Sequence, residues 1–98
     1  MSSSPVVLLT GASKGIGLAV ARVLLQSAAR VVGVGRSDLQ SSSELAALVK
    51  ENPASFHYLP LDITDAAAAS TLVDAALSTY GRLDAVIHNA GPSSHLEF

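Results

Sequence analysis

The residues of this chain whose types and spacing suit chemistry lie in Thr10-Gly11-Ala12-Ser13-Lys14-Gly15-Ile16-Gly17, and the chemistry they suit is the binding of a phosphate. Four apolar residues, Val6 to Leu9, run straight into this loop, and Leu18-Ala19-Val20-Ala21-Arg22-Val23-Leu24-Leu25 leaves it at helical spacing. The pattern predicts a strand, a tight turn and a helix start. A helix N-terminus offers unpaired N–H groups and the positive end of a dipole, and an anion satisfies both. In such a turn Gly11 takes a backbone angle that other residues resist, Gly15 lets the chain approach a pyrophosphate, and Gly17 lets the helix pack close to the strand. The spacing is G-x-x-x-G-x-G; the commonest dinucleotide fingerprint is G-x-G-x-x-G, and a P-loop needs Lys directly after its last Gly with Ser or Thr behind it. Read alone, the stretch also suits a plain strand–helix turn whose glycines merely permit the bend.

Thr10 to Gly17 resembles the cofactor loop of the short-chain dehydrogenase/reductase family. The resemblance implies cofactor contacts at Gly11, Ser13, Lys14, Gly15, Ile16 and Gly17. A second match lies downstream, where Gly81-x-x-Asp84 leads into Asn89-Ala90-Gly91. This is similar to the family's Asn-Asn-Ala-Gly signature at the end of the fourth strand, with His88 replacing the first Asn. In the family this turn lies beside the nicotinamide-side ribose and braces the central sheet, which implies roles for Asn89, Ala90 and Gly91. The replacement leaves the backbone role of Ala90 and Gly91 in place and puts any side-chain bond of the first Asn in doubt. Between the two motifs, Asp62 followed by Ile63 matches the family's contact with the adenine end of the cofactor; from chemistry alone Asp62 equally reads as a loop-capping acid.

Gly35-Arg36-Ser37 bears on which dinucleotide is bound. In Rossmann-type sites an acidic residue near this point holds the ribose 2′-OH, whereas an Arg accommodates a 2′-phosphate. Gly35 stands where the acid is expected and Arg36 follows it. Lys14 lies close in the expected fold to the same ribose, so two cations converge on one phosphate, with Ser37 beside them. The expectation is NADP(H) in preference to NAD(H); the plainer alternative is that both cations are solvated surface charges. Asp38 lies past the strand end and reads as a turn residue.

The elements that must position these residues alternate along the chain. The first helix ends near Gln26-Ser27. Arg30 to Gly35 is a β-branched run suited to a parallel strand covered on both faces. Ser41-x-x-Glu44 has capping-box spacing, and Leu45, Leu48 and Val49 recur at helical intervals until Asn52-Pro53. Phe56 to Leu61 reads as a third strand whose proline suits an edge. Thr64 or Asp65 is placed to cap an Ala-rich helix with Leu72, Val73, Ala76, Leu77 and Tyr80 on one face, stopped by Gly81. Leu83 to Gly91 carries the fourth strand and its turn. Four strands joined by right-handed helical crossovers give an α/β, Rossmann-type parallel sheet in the order 3-2-1-4 with helices on both faces. The binding crevice is expected between strands one and four, where the order reverses.

Composition bounds the rest. A chain of 98 residues with 49% hydrophobic content fits one domain with a buried core. Six Lys+Arg against eight Asp+Glu, with no basic run, argues against a nucleic-acid partner. The absence of cysteine excludes a disulfide, a thiolate nucleophile and a Cys-based metal site. No apolar segment approaches membrane-spanning length and the N-terminus lacks the pattern of a secretory signal, so the expected location is cytoplasmic. His88 has no carboxylate or second His at ligand spacing, and His57 and His95 read as ordinary strand and tail residues.

The family continues through a further strand and helix carrying a catalytic Ser and a Tyr-x-x-x-Lys, in which Tyr is the general acid/base and Lys lowers its pKa. Tyr58 has Asp62 four places on and Tyr80 has Asp84, so no Tyr-x-x-x-Lys occurs here and no residue is assigned a catalytic role. The chain is therefore expected to be the N-terminal, cofactor-binding part of an NADP(H)-dependent oxidoreductase, either a fragment or a truncated product. The alternative is a non-catalytic nucleotide-binding module, or one that pairs with itself or another chain through Val86 and Ile87 on an open fourth-strand edge.

Overall fold

A computed structural model describes residues 4–12, 15–36, 43–61 and 66–89. The elements are β1 (Val6–Thr10), α1 (Gly15–Gln26), β2 (Arg30–Gly35), α2 (Ser43–Glu51), β3 (Phe56–Pro60), α3 (Ala66–Tyr80) and β4 (Ala85–His88). The strands form one sheet in the order β3-β2-β1-β4, and every pairing is parallel.

The near-continuous apolar runs of β1 and β2 are explained by burial on both faces. On one face Leu9, Val31 and Phe56 pack with Leu18 and Ala21 of α1 and Leu45 and Leu48 of α2. On the other, Val6, Leu8, Val32 and Val34 pack with Leu72 and Ala76 of α3. The period of two along each strand thus feeds two separate cores. Gly33 marks a tight point of the first core. A Cβ there would stand 2.7 Å from Cε1 of Phe56 and 3.0 Å from the Cβ of Ala12.

Helix ends are closed by backbone geometry. The Ala28 N–H donates to the Leu25 carbonyl at 3.1 Å and the Ala29 N–H to that of Leu24 at 3.0 Å. This is a Schellman closure, and Ala28 occupies its left-handed position with φ 69°. At the end of α3, Gly81 has φ 77° and donates its N–H to the Leu77 carbonyl at 2.9 Å.

Two expectations need correction. The face of α3 is narrower than the apolar spacing suggests: Leu72 and Ala76 are buried and Tyr80 is half-buried, while Val73 and Leu77 are exposed. Residues four apart follow one line down the helix onto the sheet, and their neighbours one place on fall to its flank. The fourth strand is also shorter than the run Leu83 to Gly91, because Leu83 and Asp84 precede the ladder with β1 and Asn89 leaves it. Helix α2 starts at Ser43, and the capping serine expected at position 41 lies outside the described residues, as do Thr64 and Asp65.

Asp84, although it precedes β4, sets where that strand meets β1. Its N–H donates to the Val6 carbonyl at 2.9 Å, and the Val6 N–H donates to its Oδ2 at 2.8 Å. The Arg82 guanidinium grips the same carboxylate through Nε at 2.8 Å and Nη2 at 2.7 Å. Hydrogen bonds from Arg82, and then from the Val6 amide, hold the Asp84 carboxyl below the usual aspartate range. A carboxyl whose pKa falls on folding stabilises the fold above its unfolded value and ceases to do so as pH drops through the folded one. The expected outcome is that Asp84→Asn flattens the acid limb of stability below about pH 4. Urea unfolding midpoints from about pH 7 down to about pH 3 check this; parallel pH profiles for the two proteins would contradict it.

Candidate functional site

The site is built where β1, β2 and β4 end. Gly11 follows β1 with φ 69°, and Ala12 donates its N–H to the Val34 carbonyl at 3.0 Å, so the turn stays tied to β2 before α1 begins. Gly15 opens α1 with φ 60°. Gly17, in the first turn of the helix, is buried against the turn itself. A Cβ built on it would overlap the Gly11 carbonyl oxygen and stand 2.6 Å from the Gly11 carbonyl carbon. Gly15 differs: among the described residues beyond its own helix backbone, no heavy atom lies within 4 Å of a Cβ built there. One glycine is therefore demanded by the protein's own packing, and the other, at a helix N-terminus, is crowded by none of the described residues outside its own helix. The first turn of α1 carries no acidic residue to offset the dipole, which leaves that end receptive to an anion.

Asn89 closes the site from β4. Its side-chain Nδ2 donates toward the Gly11 carbonyl at 3.4 Å, and its backbone N–H donates to Oγ1 of Thr10 at 2.8 Å. Thr10 is buried at the last position of β1 and also forms a hydrogen bond between Oγ1 and Nδ1 of His88, at 3.0 Å. Arg36 stands exposed immediately beyond β2.

The structure thus brings together Gly11, Gly15, Gly17 and Asn89, with Arg36 at the end of the neighbouring strand. Ile16 lies in the same turn and is 71% exposed, so its side chain fills no part of the core. Ser13, Lys14, Ser37, Asp62, Ile63, Ala90 and Gly91 lie outside the described residues. Thr10 and His88 join the site without having been singled out for it. The side chain at position 88 makes its bond to Thr10. What pairs them is the register of the finished sheet: with β4 parallel to β1, Thr10 and His88 are partners on one face.

Among the described residues, no three of His, Cys, Asp and Glu gather where a metal ion could be held. No helix of the described residues is long and apolar enough to cross a membrane. A cleft of about 320 Å³ lined by Arg22, Gln26, Leu48 and Glu51 lies at the opposite end of α1, away from the glycine turn.

Comparison with known proteins fits this geometry. A family model described as short chain dehydrogenase matches residues 5–98. An uncharacterized oxidoreductase of Schizosaccharomyces pombe is 44% identical over 90 residues, spanning 92% of this chain and 34% of the relative. A short-chain dehydrogenase structure from Streptomyces avermitilis superposes with TM-score 0.79 at 35% identity, covering 93% of this chain and 32% of the other. The C-domain of a bacterial malonyl-CoA reductase, solved with NADP, superposes with TM-score 0.80 at 32% identity, over 91% of this chain and 15% of the other. The chain spans about a third of the length of the curated relatives it matches.

Proposed function

Because the chain belongs to the short-chain dehydrogenase family, we propose that it is the dinucleotide-binding portion of an oxidoreductase that moves hydride between NADP(H) and a carbonyl or alcohol. The observation that carries the choice of NADP(H) is the end of β2, where Gly35 stands in place of a ribose-binding acid and the exposed Arg36 follows. The glycine turn fits a pyrophosphate: its first helical turn carries no acid, and among the described residues beyond its own helix nothing crowds Gly15.

In this reading Gly11, Ser13, Lys14, Gly15, Ile16 and Gly17 hold the pyrophosphate side of the cofactor. Arg36, Ser37 and Lys14 hold the 2′-phosphate. Asp62 and Ile63 meet the adenine, and Asn89, Ala90 and Gly91 meet the nicotinamide-side ribose. The bound dinucleotide supplies or accepts the hydride. The acid/base groups that complete the reaction, a Ser and a Tyr-x-x-x-Lys, belong to the remaining two thirds of the longer protein, a reading supported by the length of the relatives. A cytoplasmic location is part of the same proposal.

Titration of the chain with NADPH and NADH, alongside Arg36→Ala, tests the reading. A charge-assisted hydrogen bond is worth roughly 1.5–3 kcal/mol, so the variant should lose about tenfold or more in NADPH affinity and little for NADH. Equal affinity for the two dinucleotides, unchanged in the variant, would refute the preference. A second reading, a non-catalytic module that pairs through β4, draws on one feature: all four β4 residues are exposed, with Val86 at 58% and Ile87 at 36%. Its solution mass decides it, since a monomer at high concentration leaves that edge without a partner chain.

A further inference from the structure

We propose that His88 is a positioning residue of the nucleotide site, holding the Thr10 hydroxyl where it receives the Asn89 amide and so seating Asn89 against Gly11. The proposal rests on the dinucleotide reading of that loop. Its geometry is a relay of contacts across two parallel strands. The His88 ring reaches Thr10 through Nδ1 at 3.0 Å, Thr10 Oγ1 receives the Asn89 N–H at 2.8 Å, and the Asn89 side chain points its Nδ2 at the Gly11 carbonyl at 3.4 Å. That carbonyl is the surface on which Gly17 lets α1 rest.

The ring matters here because, among the described strands, β4 is paired on one side only. The strand is an edge of the described sheet, only four residues long and exposed throughout, so it lacks the packing that fixes β1 and β2. Hydrogen bonds to β1 then carry the placement of Asn89. Thr10 is 5% exposed, so its hydroxyl is oriented by protein groups and not by solvent. Its χ1 chooses among staggered wells, and a contact from the register partner on β4 selects the well that also faces the Asn89 amide.

The bond closes in either sense, with the hydroxyl donating to a bare Nδ1 or with Nδ1–H donating to the hydroxyl. Only an atom at the Nδ1 position is needed. Asparagine places an amide oxygen or nitrogen at the same two-bond distance from Cβ and so can act in both senses, glutamine places its amide one bond farther out, and phenylalanine keeps the ring without the atom.

The test compares His88→Phe, His88→Gln and His88→Asn in the full 98-residue chain. The first readout, in the free protein, is NMR-detected hydrogen exchange of the Asn89 amide. Exchange should accelerate about five- to tenfold in the Phe and Gln variants and stay near the original rate in the Asn variant, as expected for one partnered hydrogen bond. NADPH affinity, the second readout, should fall in the same order and be restored in the Asn variant. Unchanged exchange in His88→Phe, or failure of His88→Asn to restore it, overturns the positioning role. If the unmodified chain binds neither dinucleotide, the reading of the loop fails, while the exchange series still decides what His88 does.

Discussion

Gly17→Ala is expected to destabilise the fold by about 3 kcal/mol or more and to abolish dinucleotide binding. The added methyl group has nowhere to go. It would overlap the Gly11 carbonyl oxygen and stand 2.9 Å from Nδ2 of Asn89, and the first obstacle is backbone, which cannot rotate aside. The helix must then retreat from β1. Retreat loosens Leu18 and Ala21, which are buried against Leu9 and Val31 in the core beneath α1. It also separates the helix N-terminus from the turn that aims it, so stability and binding fall together. Urea denaturation gives the first quantity and NADPH titration the second. A variant within about 1 kcal/mol of the parent, with binding intact, would mean that α1 does not rest on Gly11 as described.

How much of this was legible in the sequence depends on the range over which each feature is encoded. The glycine spacing announced the turn, and the glycine-bounded run from Arg30 to Gly35 announced β2 to the residue, because both signals are local. The strand order followed from chain connectivity and handedness, which need no side-chain detail. Thr10, His88 and Asp84 were different. Their bonds join β1 to β4 across roughly eighty positions, and only the register of the finished sheet shows which polar groups meet. Ala28 was illegible for another reason. Its left-handed backbone is imposed by the closing bonds to Leu24 and Leu25, and an alanine carries none of the usual signal for that conformation. The flank of α3 was overread because helical spacing groups Val73 and Leu77 with Leu72 and Ala76, yet says nothing about how wide a surface lies opposite. Val86 on β4 is exposed too, so the sheet narrows on that side just where the apolar stripe continues.

Gly15→Ala should separate what Gly17→Ala cannot, by costing little in the free protein and much in the complex. With φ 60° the position is left-handed, and an alanine there costs roughly 1–2 kcal/mol of backbone strain. Among the described residues beyond its own helix, no atom stands within 4 Å of the new methyl group, so the expected cost in the free protein is that backbone strain alone. If the pyrophosphate lies over this turn, the methyl group occupies space the phosphate needs, and NADPH affinity should fall by about tenfold or more beyond any loss of folded protein. Gly81→Ala supplies the comparison. Gly81 also has positive φ, at 77°, also has open space around a built Cβ, and closes α3 instead of opening α1. The two variants should therefore lose similar amounts of thermal stability, and only Gly15→Ala should lose affinity. An equal effect of both on NADPH binding would place the phosphate elsewhere and remove the glycine turn as its cradle.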